Sequence, residues 1–210
     1  MASDTPEKKP APKRRRTPSY VKNLRGVRNW KEAREWLQWR SIEDVEAMTP
    51  DLAGVPRGKM MPSVKFTTET SLALPNAVFR QTITGDYPEE TDEFQHDPLD
   101  SDLKLMPDLS TLSVVPWETD PTAQVICDIV STSGKPILYT PRNLLRHVMG
   151  LYDAKGWKAV VAPEIEFYLV AQNIDPDYPL QTPKGRSGRS VSGGQGYSIA
   201  GINEFDELVD

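Results

Sequence analysis

Nineteen prolines among 210 residues cut this chain into short segments. Turns and loops therefore take a large share of it, and no apolar run approaches the roughly 20 residues that a membrane-spanning helix needs. Hydrophobic residues still make up 38% of the chain, enough for one ordinary domain or two small ones around a real core. The opening run MASDTPEKKPAPKRRR has no apolar stretch behind its positive charges, so it does not read as a secretory signal. A single cysteine, Cys127, cannot form an internal disulfide, and the two histidines lie far apart. These counts exclude a disulfide scaffold and a Cys/His zinc module. The expectation is a protein of a reducing compartment, most simply the cytoplasm.

Charge is unevenly spread. Residues 1–25 carry a net charge of +6, the whole chain −5, and the remainder therefore −11. A basic, proline-rich segment poor in apolar residues predicts a disordered arm on an acidic body. Lys13–Arg16 could bind nucleic acid, but no aromatic or Gly-rich pattern supports base stacking and an acidic body repels phosphate. A solubilising terminus is the simpler reading.

Beyond the arm, residues 26–41 contain a helical pattern. In NWKEAREWLQW, Asn29 is a suitable N-cap, and Trp30, Ala33, Trp36 and Leu37 recur at helical spacing. IEDVEAM (42–48) alternates like a strand, and TPDLAGVPRGKMMP, punctuated by Gly54, Pro56, Gly58 and Pro62, predicts a loop or hairpin. Residues 66–80 have no single period, and residues 86–102 read as a long acidic loop. LSVV (112–115) and TAQVICDIV (122–130) have strand composition. A helix follows, with Thr140 as cap, Pro141 at the first position, and Leu144, Leu145, Val148, Leu151 and Tyr152 on one face. Gly156 is its expected left-handed stop. WKAVVAPEIEFYLVA (157–171) predicts one or two strands broken near Pro163, and residues 172–196 a flexible loop.

The chemistry concentrates in Pro163–Leu169. On a strand, Ile165, Phe167 and Leu169 would face the core while Glu164 and Glu166 share the other face, their Cα atoms roughly 6.5–7 Å apart. Like charges that close within an apolar strand need compensation, which Mg²⁺ or Mn²⁺ supplies through oxygen coordination. An edge strand with a solvated polar face explains the same pattern, and spacing alone leaves both readings open.

Four blocks, in order, carry a family resemblance. TPDLAGVPRGKMMP, SDLKLMPDLSTLSVVPW, PTAQVICDIVSTSGKPILYTPRNLLRHV and PEIEFYL together resemble the amino-terminal part of glutamine synthetases, especially the γ-glutamylpolyamine synthetase branch. The resemblance implies an α+β chain: a β-grasp domain at 42–134, then the start of an α+β catalytic domain at 135–210. It implies ATP-dependent joining of an amine to the γ-carboxyl of glutamate through γ-glutamyl phosphate. By the same resemblance Glu164 and Glu166 are metal ligands, Glu166 near the glutamate and Glu164 near the nucleotide phosphates. Asp51 would hold and deprotonate the incoming amine in a neighbouring subunit's site, Asp102 is a second acidic position on that face, and Tyr197 in GQGYS lines the amine pocket. Such proteins use ATP and two or more Mg²⁺ or Mn²⁺ ions and form double hexameric rings with shared sites.

Two departures qualify the resemblance. Ammonia-using members usually follow the aspartate with Gly-Ser-Ser, whereas Asp51-Leu52-Ala53-Gly54 stands here, which favours a polyamine or alkylamine over ammonia. Asp210 also falls before the family's remaining metal and phosphate ligands, so this amino-terminal fragment is expected to be inactive alone. The rival reading is a non-catalytic β-grasp interaction or assembly module. Elsewhere Cys127 reads as a buried inert thiol, Trp117 as a core anchor in preference to a wall of the subunit interface, and Arg142 as a salt-bridge partner. His96 and His147 lack partners for a ligand role, and GRSGRS (185–190) lacks the Lys-Ser/Thr ending of a phosphate loop.

Overall fold

A strand buried along one whole face must sit in the middle of a sheet, and β6 (Thr122–Val130) does. Its alternation puts Ala123, Val125, Cys127 and Ile129 on the core side, all buried. The computed structural model describes residues 19–87, 101–175, 177–190 and 196–208. These fall into two compact units, Met1–Ala159 and Val160–Asp210.

In the first unit β1 (Asp44–Pro50) runs parallel to β6, with Met48 opposite Ile126. β4 (Asp102–Pro107) lies antiparallel on the other side, with Leu105 opposite Ile129. β2 (Pro56–Pro62) closes a hairpin with β1, and β3 (Leu72–Pro75) pairs antiparallel with β4. The order is β2-β1-β6-β4-β3, and the two-residue β5 (Ser113–Val114) adds to β6. Parallel β1 and β6 require a long connection, and the segment between them supplies β2, a helix, β3, β4 and β5.

Helix α1 (Trp30–Trp39) lays Ala33, Trp36 and Leu37 into the core. Asn29 caps it as expected, its Oδ1 accepting the Glu32 N–H at 3.0 Å. Glu32 in turn accepts the Arg28 N–H at 2.9 Å. Residues 66–80, which show no single period, resolve into the end of helix α2 (Ser63–Glu69), β3 and a 3₁₀ turn at Asn76–Arg80. Phe66 and Phe79 reach the same core, and the Phe66 ring packs 5.2 Å from Trp30.

Residues 19–25 differ from the arm reading. They form a 3₁₀ turn at Ser19–Lys22 and lie against α1, with Val21 buried. The Trp36 indole N–H donates to the Asn23 carbonyl at 2.9 Å, and Arg40 donates to the carbonyls of Val21 and Asn23. The Arg40 guanidinium sits 4.1 Å from the Trp36 ring and 4.9 Å from that of Trp39. Residues 1–18 of the arm, and His96 within the acidic loop, lie outside the described residues.

Helix α3 (Pro141–Asp153) starts at Pro141 as expected, but Thr140 is no side-chain cap. Its hydroxyl donates backwards to the Ile137 carbonyl at 2.7 Å. Gly156 has φ +70°, the expected left-handed stop. The face carrying Leu145 and Leu151 stays exposed, at 62% and 53%, and Asn143 is the buried residue of α3. What fastens α3 to the sheet is polar. Asp108 accepts from Arg142 and, at 2.9 Å, from Arg146, while Asp128 accepts from the same two arginines at 2.6 and 3.0 Å. Arg142 is thus the salt-bridge partner the sequence suggests.

Burial opposes ionisation of Asp108, but the Ser110 hydroxyl and N–H together with the Arg142 and Arg146 charges outweigh it and hold this carboxyl below its ordinary range. A depressed carboxyl contributes stability that is full above its unfolded pKa and disappears as pH falls through the folded value. Asp108→Asn is therefore expected to cost about 1–2 kcal/mol near pH 7. Its melting temperature should converge on that of the unaltered protein as pH drops from neutral to below about 3. Calorimetry at several pH values checks this, and a pH-independent gap would refute it.

Two further expectations are corrected. Trp117 is 71% exposed and is not a core anchor. Residues 157–171 form no strand among the described residues, and Ile165 and Phe167 are 85% and 69% exposed. A strand needs a ladder, and among the described residues the one backbone bond from this stretch to a later segment joins the Ala171 N–H to the Gln181 carbonyl at 2.9 Å. Among its described residues the second unit otherwise shows turns, short helices and chain without regular secondary structure. It holds a bridge between Lys184 and Ser190, helix α4 (Ile199–Asn203), and an Arg186–Asp206 ion pair at 2.9 Å. No helix among the described residues is long and apolar enough to cross a membrane.

Candidate functional site

The β1–β2 hairpin turns between Pro50 and Pro56, whose pairing ends the ladder. The chain reverses in five residues because Gly54 takes φ +81°, a conformation that costs a glycine little. Two residues beyond the turn, a Cβ on Gly58 would come within 2.0 Å of the Ala47 carbonyl oxygen, so only glycine lets the strands approach this closely.

Asp51 begins the turn and is fully buried. Its Oδ1 accepts the N–H groups of Ala53 and Val55 at 2.9 and 2.8 Å, and its Oδ2 accepts from Arg57 Nε at 2.8 Å. The Asp51 N–H donates to the Val55 carbonyl at 3.0 Å. Burial alone would raise this carboxyl, but the Arg57 contact and the two backbone donors prevail and keep it below the ordinary range. It is an ionised carboxylate whose three donors among the described residues all come from within the hairpin.

Asp102, the first residue of β4, is exposed. Because β1 runs parallel to β6 and β4 antiparallel, Asp51 and Asp102 lie at the same end of the sheet. The other three candidates belong to the second unit. Glu164 and Glu166 are exposed on chain without regular secondary structure. Tyr197 is fully exposed at φ +61°, in the left-handed region that non-glycine residues seldom adopt. No group of three or more His, Cys, Asp or Glu side chains poised to hold a metal occurs among the described residues. Two carboxylates are the right kind of donor for a hard divalent ion, which accepts one or two of them with water and phosphate oxygens. They are too few to complete two sites.

Arg57 and Thr49 escape the sequence reading. Thr49 is fully buried, its hydroxyl has no hydrogen-bond partner among the described residues, and it stands directly opposite Arg57 in the hairpin register. An acid and an arginine six residues apart across a Gly/Pro-marked turn are the signal that could have found the pair. Cys127 is as expected: it is buried, and loss of solvent together with the neighbouring Asp128 charge pushes its thiol up to about 12.

Comparison with known proteins bears first on α3 and the residues after it. Residues 138–210 match the family model described as glutamine synthetase, catalytic domain. The chain is 33% identical over 146 residues to a glutamate–isopropylamine ligase of a Pseudomonas species, covering 68% of this chain and 32% of that protein. It is 29% identical over 190 residues to a γ-glutamylputrescine synthetase of Escherichia coli, covering 89% of this chain and 40% of that one. It is also 44% identical over 78 residues to a glutamine synthetase of Methanococcus maripaludis, covering 35% and 17%. The chain thus spans well under half the length of each of these relatives.

Proposed function

Because the chain belongs to the glutamine synthetase family, near its polyamine branch, we propose that it forms part of an ATP-dependent ligase. The ligase joins an organic amine to the γ-carboxyl of glutamate. The observation that carries this reading is the family match over residues 138–210, a span that contains both Glu164 and Glu166. In this proposal residues 42–134 are a β-grasp domain and residues 135–210 begin the catalytic domain.

ATP phosphorylates the glutamate γ-carboxylate, and the amine then displaces phosphate from the γ-glutamyl phosphate. Divalent ions, when bound, neutralise the clustered phosphate and carboxylate oxygens of the first step. Glu164 and Glu166 would contribute carboxylate oxygens to those ions, with the other donors coming from outside the residues described. Asp51 would hold the amine as a cation and accept its proton before attack, in a site shared with a neighbouring copy of the protein. Asp102 adds negative potential at the same end of the sheet, and Tyr197 shapes the amine pocket. Leu52 and Ala53 follow Asp51 without hydroxyl groups, which suits an alkyl substituent better than a bare ammonium ion. The likeness to isopropylamine and putrescine ligases supports the same preference.

The test is phosphate release by the complete protein with ATP, glutamate and Mg²⁺, offered ammonia, isopropylamine or putrescine in turn. The expected result is glutamate-dependent release with kcat/KM for an organic amine above that for ammonia. Equal or better use of ammonia would remove the organic-amine assignment. No release with any amine would favour the interaction-module reading.

A further inference from the structure

Three polar side chains converge on the buried side of β1 where it enters the hairpin turn. Thr49 and Asp51 are two residues apart and share a face, and both are 0% exposed. Arg57 faces Thr49 across the ladder and reaches back to Asp51 Oδ2. Of the three donors on the Asp51 carboxylate, two are backbone N–H groups fixed by the turn. The third, Arg57, is a long side chain still 23% exposed, the one donor that can swing away without unfolding the hairpin. Beside it, the Thr49 hydroxyl has no hydrogen-bond partner among the described residues. A buried hydroxyl left unpaired costs about 1–3 kcal/mol, so its neighbourhood favours a molecule that supplies a donor.

We infer that Arg57 is a positioning residue for the amine-holding carboxylate, one that keeps Asp51 oriented until a substrate ammonium displaces it. Thr49 Oγ1 then accepts one N–H of that ammonium. The inference rests on the proposed role of Asp51 and adds the group against which the amine competes. The chemistry is an exchange of cations. A guanidinium and a primary ammonium carry the same charge and both donate N–H groups, so they cannot occupy Oδ2 together without repulsion. Displacement keeps Asp51 compensated throughout, which matters because a carboxylate this deeply buried would otherwise favour its protonated form. The two turn amides remain on Oδ1 and hold the carboxylate while the cations exchange.

The test uses the complete, active protein and separates KM from kcat. Arg57→Gln is expected to lower KM for the amine about tenfold, the size of one lost hydrogen bond between charged groups, and to change kcat by less. Arg57→Lys restores the competing cation and should return KM toward its original value. Thr49→Val keeps the shape and removes the hydroxyl, so it should raise KM severalfold.

Hydrogen exchange at the Ala53 and Val55 amides tells competition from damage. Both should stay protected in Arg57→Gln, because their acceptor is untouched. An unchanged or raised KM with protected amides would overturn the inference, as would loss of protection, which would make Arg57 a purely structural clasp. An unchanged KM in Thr49→Val removes the role of the hydroxyl. If Asp51→Asn keeps full amine-dependent turnover, the failure lies in the parent reading of Asp51.

Discussion

Trp36→Ala is expected to destabilise the protein by about 3–5 kcal/mol, the range for removing a large aromatic side chain from a packed core. The reasons compound at this position. The ring is fully buried in the core that also holds Phe66, Leu37 and the inner face of the sheet. Its indole N–H satisfies the Asn23 carbonyl, and Arg40 stacks over it while holding the carbonyls of Val21 and Asn23. Truncation opens a cavity, removes one of the two donors to the Asn23 carbonyl and takes away the surface on which residues 19–23 rest. Against a typical total of about 5–15 kcal/mol, such a loss brings the fold close to its limit. Urea denaturation followed by circular dichroism measures it. Trp36→Phe, which keeps most of the bulk and gives up the hydrogen bond, should cost only about 1–2 kcal/mol. A full-sized loss with Phe would mean that the polar clamp, not the packing, dominates.

The second large effect falls on turnover and leaves stability alone. On the proposed function, Glu164→Gln and Glu166→Gln should each reduce kcat of the complete protein on the order of 10³-fold, the equivalent of the several kcal/mol a catalytic metal supplies. Both residues are exposed and make no hydrogen bond or ion pair among the described residues, so the melting temperature should stay within the small range of surface substitutions. Raising the Mg²⁺ or Mn²⁺ concentration should recover part of the activity, since a weakened site fills by mass action. Full activity in the double variant would remove both carboxylates from the metal assignment. A large fall in stability would show that they serve the fold.

What was legible in the sequence was local. The Asn29 cap and the 29–39 spacing foretold α1, the alternation at 122–130 foretold a strand, and the Gly/Pro punctuation at 49–62 foretold a loop or hairpin. Helix α2 was not readable: seven residues beginning after Pro62, with no side-chain cap and three β-branched members, leave too short a period. Thr140 stands where a cap belongs, yet its hydroxyl had a nearer acceptor at Ile137. The alternation at 163–169 is real in the sequence but produced no strand, because a ladder depends on a partner that local pattern does not supply. At the candidate site the acidic residues could be named from sequence and resemblance. The bond from Arg57 to Asp51 and the unpaired Thr49 hydroxyl depend on register and became visible only in three dimensions. Residues 19–25 look like more of the basic arm by composition, but their order comes from α1 beneath them.

The lone cysteine gives this protein a built-in clock. Cys127 lies in the central strand, fully buried, with a thiol that stays protonated far above neutral pH. A thiol reagent reaches it only when β6 is uncovered, which ties its modification to openings of the sheet and not to fraying at the surface. Where closing outruns chemistry, the rate of mass gain equals the reagent's intrinsic rate multiplied by the fraction of molecules open. Each molecule therefore keeps a permanent record of whether it has opened, readable by mass in a mixture of proteins and without any added label site.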